Sequence, residues 1–242
     1  YIFFVSSCIK NHFSSIINVE KSDIMNKNCF VSWSGGKDSC LALYRAMNQG
    51  YKPKMLFTMF SIENDVSSAH RLNEDIIKAQ VNALDLESTI GRAKFEDYEA
   101  VFVRNLESFK SQDIQYGIFG DIDLDEHRKW EETVCEKAQM TAVLPLWQED
   151  RKKLVKEFID LGFKARIVVV NKTMMSPEFL GRDLSHELLE EIEKTGADVC
   201  GENGEYHTVV YDGPLFKTPL NLNFSKEVKD IEGKWAKIEV LI

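Results

Sequence analysis

From Cys29 onward, short apolar runs alternate with segments whose apolar residues recur every three or four positions. That alternation is the pattern of strands feeding amphipathic helices around a parallel sheet. Residues 29–33 read as a buried strand. Residues 39–49 read as a helix, with Cys40, Leu43, Tyr44 and Met47 on one stripe and Gly50 placed to end it. A strand over 54–60 and a helix over 69–84 follow, the latter turning Leu72, Ile76, Ala79 and Ala83 inward. A short strand at 88–90 leads to a helix over 95–110 with Phe95, Tyr98, Phe102, Leu106 and Phe109 on its stripe. A strand at 116–120, a helix at 126–139 and a strand at 141–144 complete a doubly wound α/β domain, assigned to residues 25–147.

Past Pro145 the pattern changes. A helix over 151–161 is closed by Gly162, residues 163–170 (FKARIVVV) form a strong strand, and 185–194 a short acidic helix. Strands at 206–211 and 234–241 flank the turn signal Asp212-Gly213-Pro214. The spacing predicts a second, smaller α/β domain over residues 148–242. Residues 1–24 show no steady period, so Met25 reads as the functional start and the preceding stretch as a poorly ordered extension. Its YIFFV run is short, follows no basic region and precedes no A-x-A-like cleavage site, unlike a signal peptide.

Composition changes this picture little: 44% apolar and 29% charged residues are those of an ordinary globular chain. The formal net charge of −9 argues against broad, charge-driven binding to nucleic acid, which needs a basic face. Five cysteines without a CxxC pair indicate neither a zinc ribbon nor a disulfide framework, which fits a reducing cytoplasm. No apolar run approaches the roughly 18 to 20 residues of a membrane span.

The chemistry concentrates at the first strand-to-helix junction, Val31-Ser-Trp-Ser-Gly-Gly-Lys-Asp-Ser-Cys40. Gly35 and Gly36 let the backbone approach a ligand closely and expose successive N–H groups at the positive end of a helix dipole. Ser34 and Ser39 add hydroxyls and Lys37 a formal charge, so the set predicts a phosphate site. It is not a Walker A loop, because Val31 and Asp38 stand where that motif needs Gly and Ser/Thr.

SGGKDS resembles the PP-loop of the N-type ATP pyrophosphatases, a group with a HUP-like doubly wound sheet. The resemblance implies ATP as substrate, cleavage between its α- and β-phosphates, and Mg²⁺ as cofactor. It assigns Ser34, Gly35, Gly36, Lys37, Asp38 and Ser39 to the pyrophosphate pocket, with Asp38 as a metal ligand. A second segment, Cys200-Gly-Glu-Asn-Gly-Glu-Tyr-His-Thr-Val-Val-Tyr-Asp-Gly-Pro-Leu-Phe216, resembles the C-terminal signature of the diphthine-ammonia ligase family, as do FGDIDLDEHRKW (119–130), LPLW (144–147) and LGRDL (180–184). That resemblance covers about 28–219 and implies ATP-dependent amidation by ammonia, with diphthine on elongation factor 2 as acceptor. An acceptor of another kind, as in bacterial-type homologues, and an ATP- or AMP-binding module without turnover are the alternatives. No length remains for a glutaminase domain, so free ammonia is the simpler nitrogen source.

Taken by itself, GENGEYHT packs Glu202, Asn203, Gly204, Glu205, His207 and Thr208 beside a strand, a density that points to a substrate site. A polar hairpin loop with His207 packed on the strand is the bland alternative. Within the site reading, Glu205 and His207 join Lys37 and Asp38 as catalytic groups, His207 taking a proton from ammonium. Asp121 ends a strand at the ligand-binding edge of the sheet, with Asp123, His127 and Arg128 just beyond, open either to substrate or Mg²⁺ or to helix capping. His70 and Arg71 stand near the same edge.

Overall fold

The computed structural model describes residues 26–68 and 70–242; the expected extension over 1–24 lies outside them. Strand β1 (Asn28–Ser32), NCFVS, is apolar on both faces and buried on both, as a central parallel strand must be. On one side it pairs in parallel with β2 (Lys52–Ser61), which pairs in parallel with β4 (Glu87–Ala93). On the other it pairs with β5 (Tyr116–Ile118), and β5 with β6 (Thr141–Val143), again in parallel. A two-residue strand, β3 (Val66–Ser67), returns antiparallel on the end of β2.

The side chains of β1 alternate between two apolar layers. Cys29 and Val31 join α1 (Lys37–Asn48) and α2 (Glu74–Leu84), while Phe30 joins α3 (Tyr98–Phe109) and α4 (Asp125–Lys137) through Phe57, Phe102 and Phe109. The second sheet is wholly antiparallel, in the order β8 (Tyr206–Asp212), β7 (Lys164–Asn171), β10 (Trp235–Leu241), β9 (Asn223–Ile231). Helices α5 (Arg151–Asp160) and α6 (His186–Lys194) accompany it. Its core is continuous with the first layer: Val31, Leu43, Phe158 and Val209 belong to one buried cluster.

Several elements differ from the sequence expectation. Helix α1 starts at Lys37, placing Lys37 and Asp38 in its first turn, and Met47 is exposed rather than on the inner stripe. Helix α2 starts at Glu74, because the Asn73 side chain accepts the Ile76 N–H and caps it there. Phe95 lies in a short 3-10 turn (Phe95–Asp97) ahead of α3 and is 94% exposed, not inward. Strands β3 and β9 were not foreseen; β9, NFSKEVKDI, is an exposed, charge-rich edge strand whose apolar alternation is weak. Among the described residues no helix is long and apolar enough to cross a membrane.

Candidate active site

Strand β1 is where the parallel sheet reverses direction, its neighbours β2 and β5 being reached to opposite sides. A crevice forms beyond the strand ends at such a point. Here it is a cavity of about 580 Å³ lined by the loop after β1, the Gly120–Asp121 segment after β5, and residues 201–208 from the second sheet. Helix α1 begins at its floor. Of the first-turn N–H groups, that of Gly36 goes to Ser34 Oγ (3.3 Å) and that of Lys37 to Thr208 Oγ1 (3.1 Å), leaving those of Asp38 and Ser39 for an anion. The Ser34 and Ser39 hydroxyls are 3.0 Å apart. Gly120 must be bare, since a Cβ there would stand 2.9 Å from the Ser39 nitrogen.

Lys37 is only 4% exposed, with Nζ 2.8 Å from Asp38 Oδ2 and 5.4 Å from the centre of the Tyr206 ring. Burial disfavours its charge, but Asp38 foremost among its neighbours outweighs that and holds its pKa well above the usual value. The ammonium is thus a fixed, almost fully buried positive charge. The side chain lines the cavity wall and is almost wholly enclosed there.

The edge of β8 fixes the loop. Gly35, at φ +80°, turns its carbonyl to accept from Val210 N–H (3.0 Å) and from Gln80 Nε2 (2.9 Å). Gln80, fully buried, also donates to the Val210 carbonyl and accepts from Trp33 Nε1. Next to it His70 reaches the Thr208 carbonyl through Nδ1 at 2.7 Å; a carbonyl only accepts, so Nδ1 carries the proton and Nε2 is left as an acceptor. Burial pushes its pKa down to about 4, keeping the ring neutral. His207 packs against it with the rings tilted by 49° and their centres 4.8 Å apart, and burial holds that imidazole well below its usual pKa too.

Opposite the loop, the segment 198–205 is held from behind. Glu205 Oε1 accepts from Asp198 N–H and Asn203 Nδ2, and its Oε2 from Asn203 N–H. The side chain is buried and does not line the cavity, so the expected contact of Glu205 with substrate is corrected: it braces the loop that presents Glu202. The Arg151 guanidinium, at the start of α5, joins Asp123, Asp198 and Asn203 at 2.5 to 3.1 Å. That occupies Asp123, and Arg128 stacks on Trp147 away from the cavity.

Glu202 does face the cavity, its Oε1 accepting from Ile122 N–H at 3.3 Å. Burial first, and then the Asp38 charge, push its carboxyl up to about 7. Asp121 pairs with His127 Nδ1 at 2.7 Å. Burial raises the Asp121 pKa, but hydrogen bonds from His127 and Glu131 together leave it below the usual range. Glu131, one helical turn past His127, is 3% exposed; burial and then Asp121 push it up to about 11, so it stays protonated.

Of the residues singled out in the sequence, Ser34, Lys37, Asp38, Ser39, Asp121, Glu202, Asn203, Gly204, His207 and Thr208 line this one cavity, with His70 and His127 beside them. Gly35 and Gly36 lie behind its wall. Sequence reasoning missed Gln80, Glu131 and Arg151. Gln80 and Glu131 each carried a signal, as polar residues on the buried stripe of a helix. Among the described residues no three His, Cys, Asp or Glu side chains converge on a metal position, so the expectation of Asp38 as a metal ligand is met by a carboxylate already paired with Lys37.

A phosphate-type loop at the switch point of a doubly wound sheet, closed over by a second sheet, defines an α/β protein of the PP-loop class. Two family models cover most of the chain, the diphthamide synthase N-terminal domain over residues 27–142 and the diphthamide synthase C-terminal domain over residues 150–241. The chain belongs to the diphthamide synthase family. It is 29% identical over 235 residues to the diphthine–ammonia ligase of Bos taurus, covering 86% of this chain and 87% of that protein. The Homo sapiens enzyme of the same name gives the same figures, and that of Danio rerio is 33% identical over 129 residues, covering 50% of this chain and 49% of that protein.

Proposed function

We propose that this chain is an ATP-dependent amide-forming ligase that joins ammonia to the carboxylate of diphthine on elongation factor 2, releasing AMP and pyrophosphate. The observation that carries the reading is the convergence, across one cavity, of the Ser34–Ser39 loop and the Gly201–Thr208 segment, joined by the Lys37 N–H to Thr208 Oγ1 bond. A phosphate donor loop and a family-specific polar segment that close on each other fit a group transfer between a nucleotide and a second substrate.

In this reading the Asp38 and Ser39 N–H groups, the two serine hydroxyls and the Lys37 ammonium receive the departing pyrophosphate and offset its charge as it develops. Mg²⁺ needs only one or two protein carboxylates besides phosphate oxygens and water, and of the three that line the cavity, Asp38, Asp121 and Glu202, the two aspartates would hold it; bound there it would withdraw charge from the phosphates. Glu202, poised near neutrality, serves as the base that takes a proton from the incoming ammonium. His207 is too weak a base for that proton and instead forms the wall beside His70. We assign nucleotide handling to residues 25–147 and acceptor recognition in part to 148–242.

The test is product analysis. With ATP, Mg²⁺, ammonium and elongation factor 2 carrying diphthine, AMP and pyrophosphate should appear together with the amide. ADP and orthophosphate as main products would overturn the PP-loop reading, and AMP release only with some other carboxylate would move the acceptor.

A further inference from the structure

A second concavity, of about 680 Å³, opens at the C-terminal ends of β2 and β4, between the β2–β3 turn and the start of α3. Three aromatic rings line it. Tyr98 and Trp130 stand with centres 5.9 Å apart and planes inclined at 46°, and the nearly fully exposed Phe95 stands at the mouth. Three carboxylates line it as well. Glu99 is paired with Lys137, but Glu63 and Glu96 have no ion-pair partner among the described residues; the cations on the same lining are Lys94 and Arg71.

A small cavity of about 180 Å³ lies between this cleft and the loop cavity, sharing Ser68 and Arg71 with the former and His207 with the latter. Arg71 stands at the junction with φ +53° and no carboxylate partner among the described residues. A further cation, Lys237, lies beside it and donates to its carbonyl at 2.8 Å. A guanidinium without a counter-ion, at the meeting of two cavities, is suited to a carboxylate brought from outside.

We propose that the aromatic cleft is the acceptor site, taking the quaternary ammonium of a trimethylated, betaine-type head against Tyr98, Trp130 and Phe95, while Arg71 takes the adjacent carboxylate and turns it toward the loop cavity. This rests on the ligase reading above, in which the acceptor is diphthine, whose ammonium and carboxylate sit on one carbon. A quaternary ammonium donates no hydrogen bonds, so it is recognised by aromatic faces and by surrounding negative charge rather than by directed ion pairs. A neutral nucleobase would profit from the rings and could donate an amino N–H to one glutamate, but it carries no positive charge for the carboxylates to offset. The loop cavity is itself of the size that holds a small-molecule ligand. Two neighbouring cavities, with Arg71 and His207 lining the space between them, match two substrates that must meet.

The experiment uses the full chain and glycine betaine as probe, with 3,3-dimethylbutyrate as its uncharged-head isostere. The parent should bind betaine several-fold more tightly than the isostere, and Phe95→Ala, an exposed position whose loss leaves melting unchanged, should erase the preference. In turnover, Phe95→Ala should raise KM for the diphthine-bearing factor about twofold to thirtyfold and leave KM for ATP unchanged; Arg71→Gln should do the same. Absence of any preference for betaine overturns the proposal, and so does a raised KM for ATP with an unaltered acceptor KM, which would make the cleft a nucleobase site. If the parent releases no AMP with the diphthine-bearing factor, the ligase reading fails, and the betaine titration still decides the cleft.

Discussion

Gly36 caps α1 with φ −99° and ψ −179°, extended backbone that any residue adopts. An alanine there therefore adds only a methyl group. That methyl would lie 2.0 Å from His70 Cε1 and 2.6 Å from Nδ1. The ring has nowhere to retreat, being buried, packed on His207 and hydrogen-bonded to the Thr208 carbonyl. Gly36→Ala must then swing His70 out, combining an overpacking cost of about 1–3 kcal/mol with a stranded carbonyl worth about 1–3 kcal/mol. At about 2–4 °C per kcal/mol for a chain of this size, melting should fall by roughly 5–20 °C. The assay is thermal and urea unfolding of Gly36→Ala, His70→Ala and the double variant. Removing the ring makes room for the methyl, so the double variant should be less destabilised than the sum of the singles by at least about 1 kcal/mol. Parent-like melting of Gly36→Ala, or strict additivity, would refute the claim that His70 is what forbids a side chain at position 36.

Lys37→Ala should cut AMP release by about one to two decades, and should also lower melting, because Asp38 is left beside a vacated buried volume; normal turnover would remove Lys37 from the chemistry. Glu131→Gln should stabilise the protein at pH 7 and above: the carboxyl is raised from 4.5 to about 11 in the fold, so its contribution is full below about 4.5 and lost as pH rises toward 11. The two melting curves should converge near pH 4.5; a variant less stable at pH 8 than the parent would contradict a protonated Glu131. The rate of amide formation should rise with pH through about 7 as Glu202 ionises, and Glu202→Gln should remove that limb; an unchanged profile would take the base role from Glu202.

The parallel sheet and the loop were readable from the chain because both are local: an apolar run, two glycines and a helix stripe fall within twenty-odd consecutive residues. The bringing together of the loop with Gly201–Thr208 was suggested only by family resemblance, since no periodicity links segments so far apart. Glu205 illustrates the limit. Its composition placed it among the site carboxylates, but it stands just ahead of β8, and the bonds its carboxylate accepts from Asp198 and Asn203 turn it inward. Phe95 fails in the opposite sense: it continues the α3 stripe on paper, yet the helix starts only at Tyr98, and the 3-10 turn before it breaks the period. Arg151 gave no signal at all, because a guanidinium at the start of an amphipathic helix is usually solvated, and its three partners come from two distant loops.

The bonds from β8 to the loop have a consequence for how the molecule is made. Lys37 and Thr208 are 171 residues apart in sequence, and Gly35 and Gln80 depend on Val210 in the same way. On the ribosome the loop and α1 emerge before the strand that sets the loop's shape, whose Thr208 follows 171 residues after Lys37. Closing so long a loop is entropically costly and slow, and the contact is made only when both layers exist. The anion-binding geometry therefore arrives only after β8 has joined the fold, and a nascent or truncated chain ending before Tyr206 would carry the motif without the site. Any ligand held by the loop then strengthens both sheets at once, by mass action on the complete fold.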